Sequence, residues 1–230
     1  MSDIHPTAVI RGDVTIGSRT TIGPFVVVTG PVRIGDDSWL GAGAQVGAPP
    51  EVRSWAHPRT DDDPAGGGVV IGDRVVLREG AQVHHGWKSV TRVDDEAFVM
   101  NQAYVAHDCH VGSRATLASS VLLAGHVVVE PDANLGMATT VHQGRRVGRG
   151  AMVGMSSVVT RDVPPFAKAY GSPATLHGAN VVGMQRQGYA PGAVELVTRA
   201  YSSPRPVLDD LVRDDRLAEA FRPWSSSGPS

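Results

Sequence analysis

Cysteine, aromatic residues, lysine and long apolar runs are all scarce in this 230-residue chain. The single cysteine, Cys109, excludes an intrachain disulfide framework and fits a reducing compartment. No apolar run approaches the roughly 20 residues that cross a bilayer. The opening MSDIHPTAVIRGD lacks a basic segment followed by an apolar core, so the expectation is a cytoplasmic protein with no membrane span. Charge of either sign is not in excess: 21 Lys+Arg face 23 Asp+Glu, a net charge of −2, which argues against a nucleic-acid surface. Aromatics are only 5% of the residues, too few for an ordinary helical bundle core. What is abundant is glycine (27) and proline (16), nearly a fifth of the chain, and such turn-rich composition directs attention to repeats.

An aliphatic residue recurs every sixth position from Ile4 through Ile10, Ile16, Ile22, Val28, Ile34 and Leu40 to Val46. The period returns at Ile71, Leu77 and Val83, then runs from Val93 to Val159 without a break, for 23 hexads in three registers. The fifth position of each hexad is small as well, as in Ala97, Ala103, Cys109 and Ala115, with Arg145 the large exception. Two inward positions per six-residue step, one aliphatic and one small, specify a hexapeptide β-helix: each hexad is a short strand plus a corner, and three hexads close one triangular coil. Residues 1–165 are thus expected to form the β-helix domain. Each coil buries its aliphatics only against its neighbours.

Two stretches break the period. Residues 48–69, with a DDD run and a GGG run, read as a loop extruded from the prism, and residues 86–92 (GWKSVTR) as a smaller excursion. After DVPP at 162–165 the period changes: Val194, Val197 and Tyr201, then Leu208, Leu211 and Val212, then Leu217 and Phe221 stand at helical spacings. Residues 166–224 are read as a C-terminal helical region and 225–230 as a disordered tail.

Against this frame the polar residues at corners need a reason. In VAHDCH, His107 is a third-position and Asp108 a fourth-position residue, both facing outward. His126 is eighteen residues beyond Asp108, so successive coils stack one on the other. A histidine beside a carboxylate, with a second histidine one coil up, suits an oriented general base whose tautomer the carboxylate fixes. The same imidazoles are also zinc ligands in principle, although no three-histidine set is evident in the spacing. His110, at a last position with no stacked acid, reads as a solvated corner residue, and inward Cys109 as a small core residue.

The segments HPTAVI, IGPF, IGDRVVLREG, VAHDCHVGSRATLASSVLLAGHVVV, TTVHQ, RDVPPFAKAYGSPAT and NVVGMQRQGY together resemble the UDP-N-acetylglucosamine acyltransferases of lipid A biosynthesis, over about residues 4 to 200. The resemblance implies a left-handed parallel β-helix with a C-terminal α-helical extension, working as a homotrimer. It implies a histidine-base transfer of an acyl group from the phosphopantetheine thioester of an acyl carrier protein to a nucleotide sugar, with no bound cofactor or metal. By resemblance His107 is the base and Asp108 its orienting partner. Gly136 and Met137 would supply an oxyanion donor. His84, Tyr104, His126, His142, Gln143, Asn180 and Arg186 would line the acceptor and nucleotide site. Met155 falls at the family's hydrocarbon-ruler position, where methionine in place of glycine implies a shorter acyl group.

The chain also departs from that pattern. It lacks one 18-residue coil before the long loop, and that loop has no lysine to match a substrate contact of the family. Tyr104 stands where the family has a second histidine, and Val182 and Gln187 replace an acidic residue and an arginine in the nucleotide pocket. A related enzyme acylating an amino-sugar, nucleoside or other metabolite is therefore the alternative, with a zinc hydratase of carbonic-anhydrase type and a non-catalytic trimeric scaffold behind it. Arg145, Arg146 and Arg149 are candidates either for phosphate or carrier-protein contact or for a solvated rim.

Overall fold

The computed structural model describes residues 2–56, 66–203, 208, 211–212 and 214–225. The parallel β-helix of hexapeptide repeats is the fold the chain adopts, and helices follow it. Consecutive strands lie on three different faces, and each face is a sheet whose neighbours come from successive coils. The sheets hold ten, eight and seven strands. Every one of the 23 aliphatic positions read from the period lies in a strand. Strands are only two to four residues long within the repeats because each must turn a corner before the next hexad begins.

The register shows how coils stack. Most pairs are offset by 18 residues, as in Phe98 with Thr116 and Tyr104 with Leu122. Across the first excursion the offset grows to 37, as between Asp36 and Asp73, and across the second to 22, as between Asp73 and Asp95. Both insertions therefore leave the prism in phase, and the coil on either side pairs as if they were absent. On one edge Asp36, Asp73 and Asp95 form a ladder in which each carboxylate accepts the amide of the coil below, at 2.7, 2.7 and 2.9 Å.

The inward positions fill the prism. Val105, Cys109, Val111, Ala115, Leu117, Val121 and Leu123 are fully buried. No described residue pairs beneath the first coil, so Ile4 and Ile10 are 44% and 37% exposed although their positions are inward. Every fourth position from Glu96 to Ser156 has positive φ, eleven in succession, so the left-handed corner is part of the architecture and not a peculiarity of any one site.

The region after 165, expected to be helical, opens instead with a hairpin. Strand Ala167–Gly171 extends the first sheet in parallel and pairs antiparallel with Ala174–Ala179. Its inward residues Ala167, Ala169, Ala174 and Leu176 alternate with exposed Lys168, Tyr170, Thr175 and His177, a strand period of two that differs from both the hexad and the helical spacing. Among the described residues three α-helices follow: α1 (Val181–Arg186), α2 (Pro191–Ala200) and α3 (Asp215–Ser225). The expected positions Val194, Val197, Tyr201, Leu211, Leu217 and Phe221 are all buried. Phe166, fully buried with ring centroids 5.0 Å from Tyr189 and 5.9 Å from Phe221, joins the end of the prism to the helices. Of the expected tail 225–230, Ser225 instead ends α3 and 226–230 lie outside the described residues, as do 57–65 of the long loop. No helix among the described residues is long and apolar enough to cross a membrane.

Candidate active site

His107 and Asp108 occupy the corner after strand Tyr104–Val105 on the second face. The repeat alone puts them outward, but both are 8% exposed, and the Asp108 side chain is fully shielded. The reason is the small excursion, which folds back over them. Asp108 Oδ1 accepts the amides of Trp87, Lys88 and Ser89 at 3.1, 2.8 and 2.6 Å and the Ser89 hydroxyl at 2.9 Å. The fully buried Thr91 accepts the Asp108 amide at 3.0 Å, and the Trp87 ring sits edge-on to His107 at 6.2 Å.

Asp108 Oδ2 faces His107 Nδ1 at 2.8 Å. Burial pushes the Asp108 carboxyl up, but the hydrogen bonds from His107, from the Ser89 and Lys88 amides and from the Ser89 hydroxyl outweigh it and hold the group at about 2. The carboxylate is thus ionised at neutral pH and is an acceptor only, so the bond between them is an Nδ1–H donation, the arrangement that turns Nε2 away from the carboxylate. His126 stacks as its spacing requires: its amide donates to His107 carbonyl at 3.0 Å, its Nε2 lies 3.6 Å from Asp108 Oδ2, and the two imidazoles meet edge to face at 5.0 Å.

Gly125, between the two histidine corners, is the residue the sequence reading missed. A Cβ there would lie 2.4 Å from His107 Cε1 and 2.5 Å from Nε2, so the imidazole rests directly on this backbone. Its φ is not positive, unlike the corner residues that follow. From Val93 to Val163 it is the one glycine at a third position of a hexad, where no left-handed conformation calls for one. That misplacement was the available signal of a close approach.

His107, Asp108 and His126 are also the one group among the described residues with metal-ligand proximity, their donor atoms lying within 4.8 Å of one another. Only two are imidazoles, and Asp108 is already occupied: four donors converge on Oδ1, and Oδ2 holds the His107 proton. Ligation would require breaking that bond, so the donor set fits an oriented base better than zinc.

The other candidates divide into groups. His84 and Tyr104 adjoin on the second face with rings 5.1 Å apart, and Glu51 from the long loop bridges them, accepting from the Tyr104 hydroxyl and lying 2.8 Å from His84 Nδ1. His142 and Gln143 are exposed one coil beyond His126, and His142 Nδ1 is 3.2 Å from the Gln143 carbonyl. Gly136, Met137 and Met155 stand at the corner before the second face, not at the His107 corner. Gly136 cannot be the expected oxyanion donor because its N–H is committed to the Val153 carbonyl at 2.8 Å in the ladder. Met137 and Met155 are 56% and 72% exposed, large apolar side chains left open along with Leu122 on the face between the two corners.

Asn180 caps α1: its Oδ1 accepts the Gly183 amide at 3.1 Å while its Nδ2 donates to the Gly150 carbonyl at 2.9 Å. Arg186 is exposed in the last turn of that helix. The arginines read as a possible ligand patch are instead tied within the molecule. Arg145 approaches Asp162 at 3.6 Å. Arg146 pairs with buried Glu130 and stacks on Trp224, whose indole also donates to Glu130, and Arg149 reaches Glu219 on α3 at 2.9 Å. This network clamps α3 to the third face. His110 is likewise not a bare solvated residue, since its Nε2 lies 2.6 Å from Asp94. Cys109 is fully buried, and burial pushes its thiol up to about 12, as suits a core residue and not a nucleophile.

A hexapeptide solenoid with a shielded, carboxylate-oriented histidine at one corner defines an acyltransferase of the hexapeptide-repeat class. Comparison with known proteins narrows the class. Residues 4–30 match the model of the bacterial transferase hexapeptide (six repeats), and residues 162–219 match that of the second domain of UDP-N-acetylglucosamine O-acyltransferase. The acyl-[acyl-carrier-protein]–UDP-N-acetylglucosamine O-acyltransferase of Paraburkholderia phymatum is 37% identical over 87% of this chain and 82% of its own length. The one from Alkalilimnicola ehrlichii is 38% identical over 94% and 91%. Among solved structures, the UDP-N-acetylglucosamine acyltransferase of Campylobacter jejuni superposes with a TM-score of 0.74 at 28% identity, covering 99% of this chain and 92% of that one. The chain belongs to the UDP-N-acetylglucosamine O-acyltransferase family.

Proposed function

We propose that the protein transfers an acyl group from the thioester of an acyl carrier protein to a hydroxyl of UDP-N-acetylglucosamine or a close relative, with His107 as general base. The observation that carries this reading is the 2.8 Å bond from His107 Nδ1–H to a carboxylate that four further donors hold in its charged form. His107 Nε2 takes the proton of the acceptor hydroxyl as its oxygen attacks the thioester carbonyl. The tetrahedral oxyanion collapses with loss of the pantetheine thiolate, which leaves with the proton from Nε2. Base catalysis of this kind typically supplies about 10²–10⁴-fold. In place of Gly136, the Gly125 amide is the donor for the oxyanion: a Cβ on that residue would fall 2.5 Å from His107 Nε2, and its N–H donates to no acceptor among the described residues.

The acyl site is completed by a second copy. The exposed Met137 and Met155 stand one face of the prism away from His107, so a cleft between copies of a homotrimer would bring the methionine edge of one to the histidine corner of the next. Positioning both substrates there makes the transfer effectively unimolecular. His126, His142, Gln143 and Arg186 would bind the acceptor and its nucleotide, and Met155 would limit the acyl chain.

The Glu51 carboxylate, presented by His84 and Tyr104, favours a second reading in which the accepting group is the amine of an amino-sugar or another metabolite, since a carboxylate attracts N–H donors. Incubating the purified enzyme with a series of acyl carrier protein thioesters and either UDP-N-acetylglucosamine or an amino-sugar nucleotide, with products identified by mass, distinguishes the two. Transfer to the hydroxyl of the N-acetyl sugar is expected. No transfer from any carrier-bound acyl group to either acceptor would overturn the proposal.

A further inference from the structure

The excursion at 86–90 makes no contact that the solenoid needs, since the coils on either side pair in phase across it. Gly86 pairs with Gly67 and Gly68 of the long loop, and the donors of the next three residues converge on one atom. Three successive amides and one hydroxyl point at Asp108 Oδ1, and the Ser89 hydroxyl is the sole side-chain donor among them. Resting on the reading of His107 as the base, we propose that Ser89 is a positioning residue for catalysis: its hydroxyl locks the Asp108 carboxylate so that Oδ2 alone is left to hold the His107 ring by Nδ1–H.

The geometry supports this in three ways. A carboxylate oxygen has about two lone pairs, and Oδ1 already receives four donors within 3.1 Å, so the group cannot rotate to exchange its oxygens without abandoning all of them. The excursion is itself rigid at its start: a Cβ on Gly86 would fall 1.5 Å from the Ser89 carbonyl oxygen, so the chain closes on itself in a way only glycine permits. And the same five residues carry Trp87 to the edge of the His107 ring at 6.2 Å, covering the pair that Ser89 fixes. The low pKa of Asp108 is what a site built around its charged form produces. A purely structural loop, by contrast, would use the carboxylate only to satisfy its own amides, and losing the Ser89 hydroxyl would then alter stability without altering the imidazole.

Ser89→Thr and Ser89→Val separate these outcomes, because the two side chains share a shape and differ by the hydroxyl. In the full-length enzyme, kcat and KM are measured with an acyl carrier protein thioester and UDP-N-acetylglucosamine, and the tautomer of His107 is read from the ring nitrogens by NMR of ¹⁵N-histidine-labelled protein. Ser89→Val is expected to lower kcat roughly ten- to hundredfold, the range for losing one hydrogen bond to a charged group, with KM unchanged and a mixed tautomer at His107. Ser89→Thr is expected to keep the wild-type kcat and the Nδ1–H tautomer. Equal kcat in Ser89→Val and the wild type, or equal losses in the Thr and Val variants, would overturn the proposal. His107→Ala serves as the control: full turnover in that variant would sink the base assignment, whereas the tautomer in Ser89→Val still reports on the lock.

Discussion

Replacing Gly125 with alanine places a methyl group against the His107 imidazole, the proposed base. The new Cβ would stand 2.4 Å from His107 Cε1 and 2.5 Å from Nε2, while ordinary contact begins at 3.4 Å, so the ring must retreat by about 1 Å. It cannot do so freely, because Asp108 grips Nδ1 on one side and the Trp87 edge stands on another. A displacement of about 1 Å in a positioned catalytic group can cost about 10²-fold, and kcat is expected to fall by that order. The fold should survive. The backbone at 125 is not left-handed, so alanine is not strained there, and the overpacking cost of ~1–3 kcal/mol is partly offset by the ~0.4–1 kcal/mol that Gly→Ala removes from the unfolded chain's entropy. The assay compares kcat and KM of the variant with the wild type under saturating thioester, alongside urea unfolding to establish that the variant is folded. Wild-type kcat in a folded Gly125→Ala protein would refute the argument, since it would mean that the imidazole is not held where the structure places it or is not the group that reacts.

Three further outcomes follow from the same geometry. Because folding lowers the Asp108 pKa from 3.8 to about 2, its contribution is fully present above pH 3.8 and is lost as pH falls toward 2; at ~1.4 kcal/mol per unit this is on the order of 2 kcal/mol. Urea titrations across that range should therefore show a steeper acid loss for the wild type than for Asp108→Asn, and identical slopes would contradict it. Met155→Gly should lengthen the preferred acyl chain, since each methylene kept out of a groove forfeits ~0.8 kcal/mol; rates over a ladder of acyl carrier protein thioesters check this, and an unchanged preference would remove Met155 from the acyl site. Cys109, with its thiol pushed up to about 12 in the core, should not react with a disulfide reagent at neutral pH until the protein is denatured, and rapid labelling of the native protein would contradict its placement.

The solenoid was legible because its physics is local and repeated. One aliphatic and one small residue per hexad suffice to fill a coil, so the strands from Ile4 to Val159 can be counted off from the sequence alone. The stacking of His126 over Asp108 came from the same count. What the period could not supply was anything contributed by residues outside it. It placed His107 and Asp108 at exposed corners, whereas the excursion through Trp87 to Ser89 buries them, and no repeat position encodes where an insertion folds back. The resemblance, not the period, offered Gly136 and Met137 as an oxyanion donor, and it carries no sign that the ladder to Val153 takes the Gly136 N–H. Arg146 and Arg149 could be read as a ligand patch because Glu219 and Trp224 lie far off in sequence and reach them only once α3 docks, while Glu130, one coil away, carries no mark in the period. The hairpin Ala167–Ala179 escaped because its strands obey a different period from the one being counted.

The central claim, that His107 is the base of an acyl transfer, is tested most directly by turnover of His107→Ala. Initial rates of transfer from an acyl carrier protein thioester to UDP-N-acetylglucosamine would be compared for the wild type and the variant, with circular dichroism and oligomeric mass to show that both are folded alike. The arrangement around Asp108 predicts a loss of about 10²–10⁴-fold in kcat with the β-helix intact. A folded His107→Ala enzyme that turns over at the wild-type rate would contradict it.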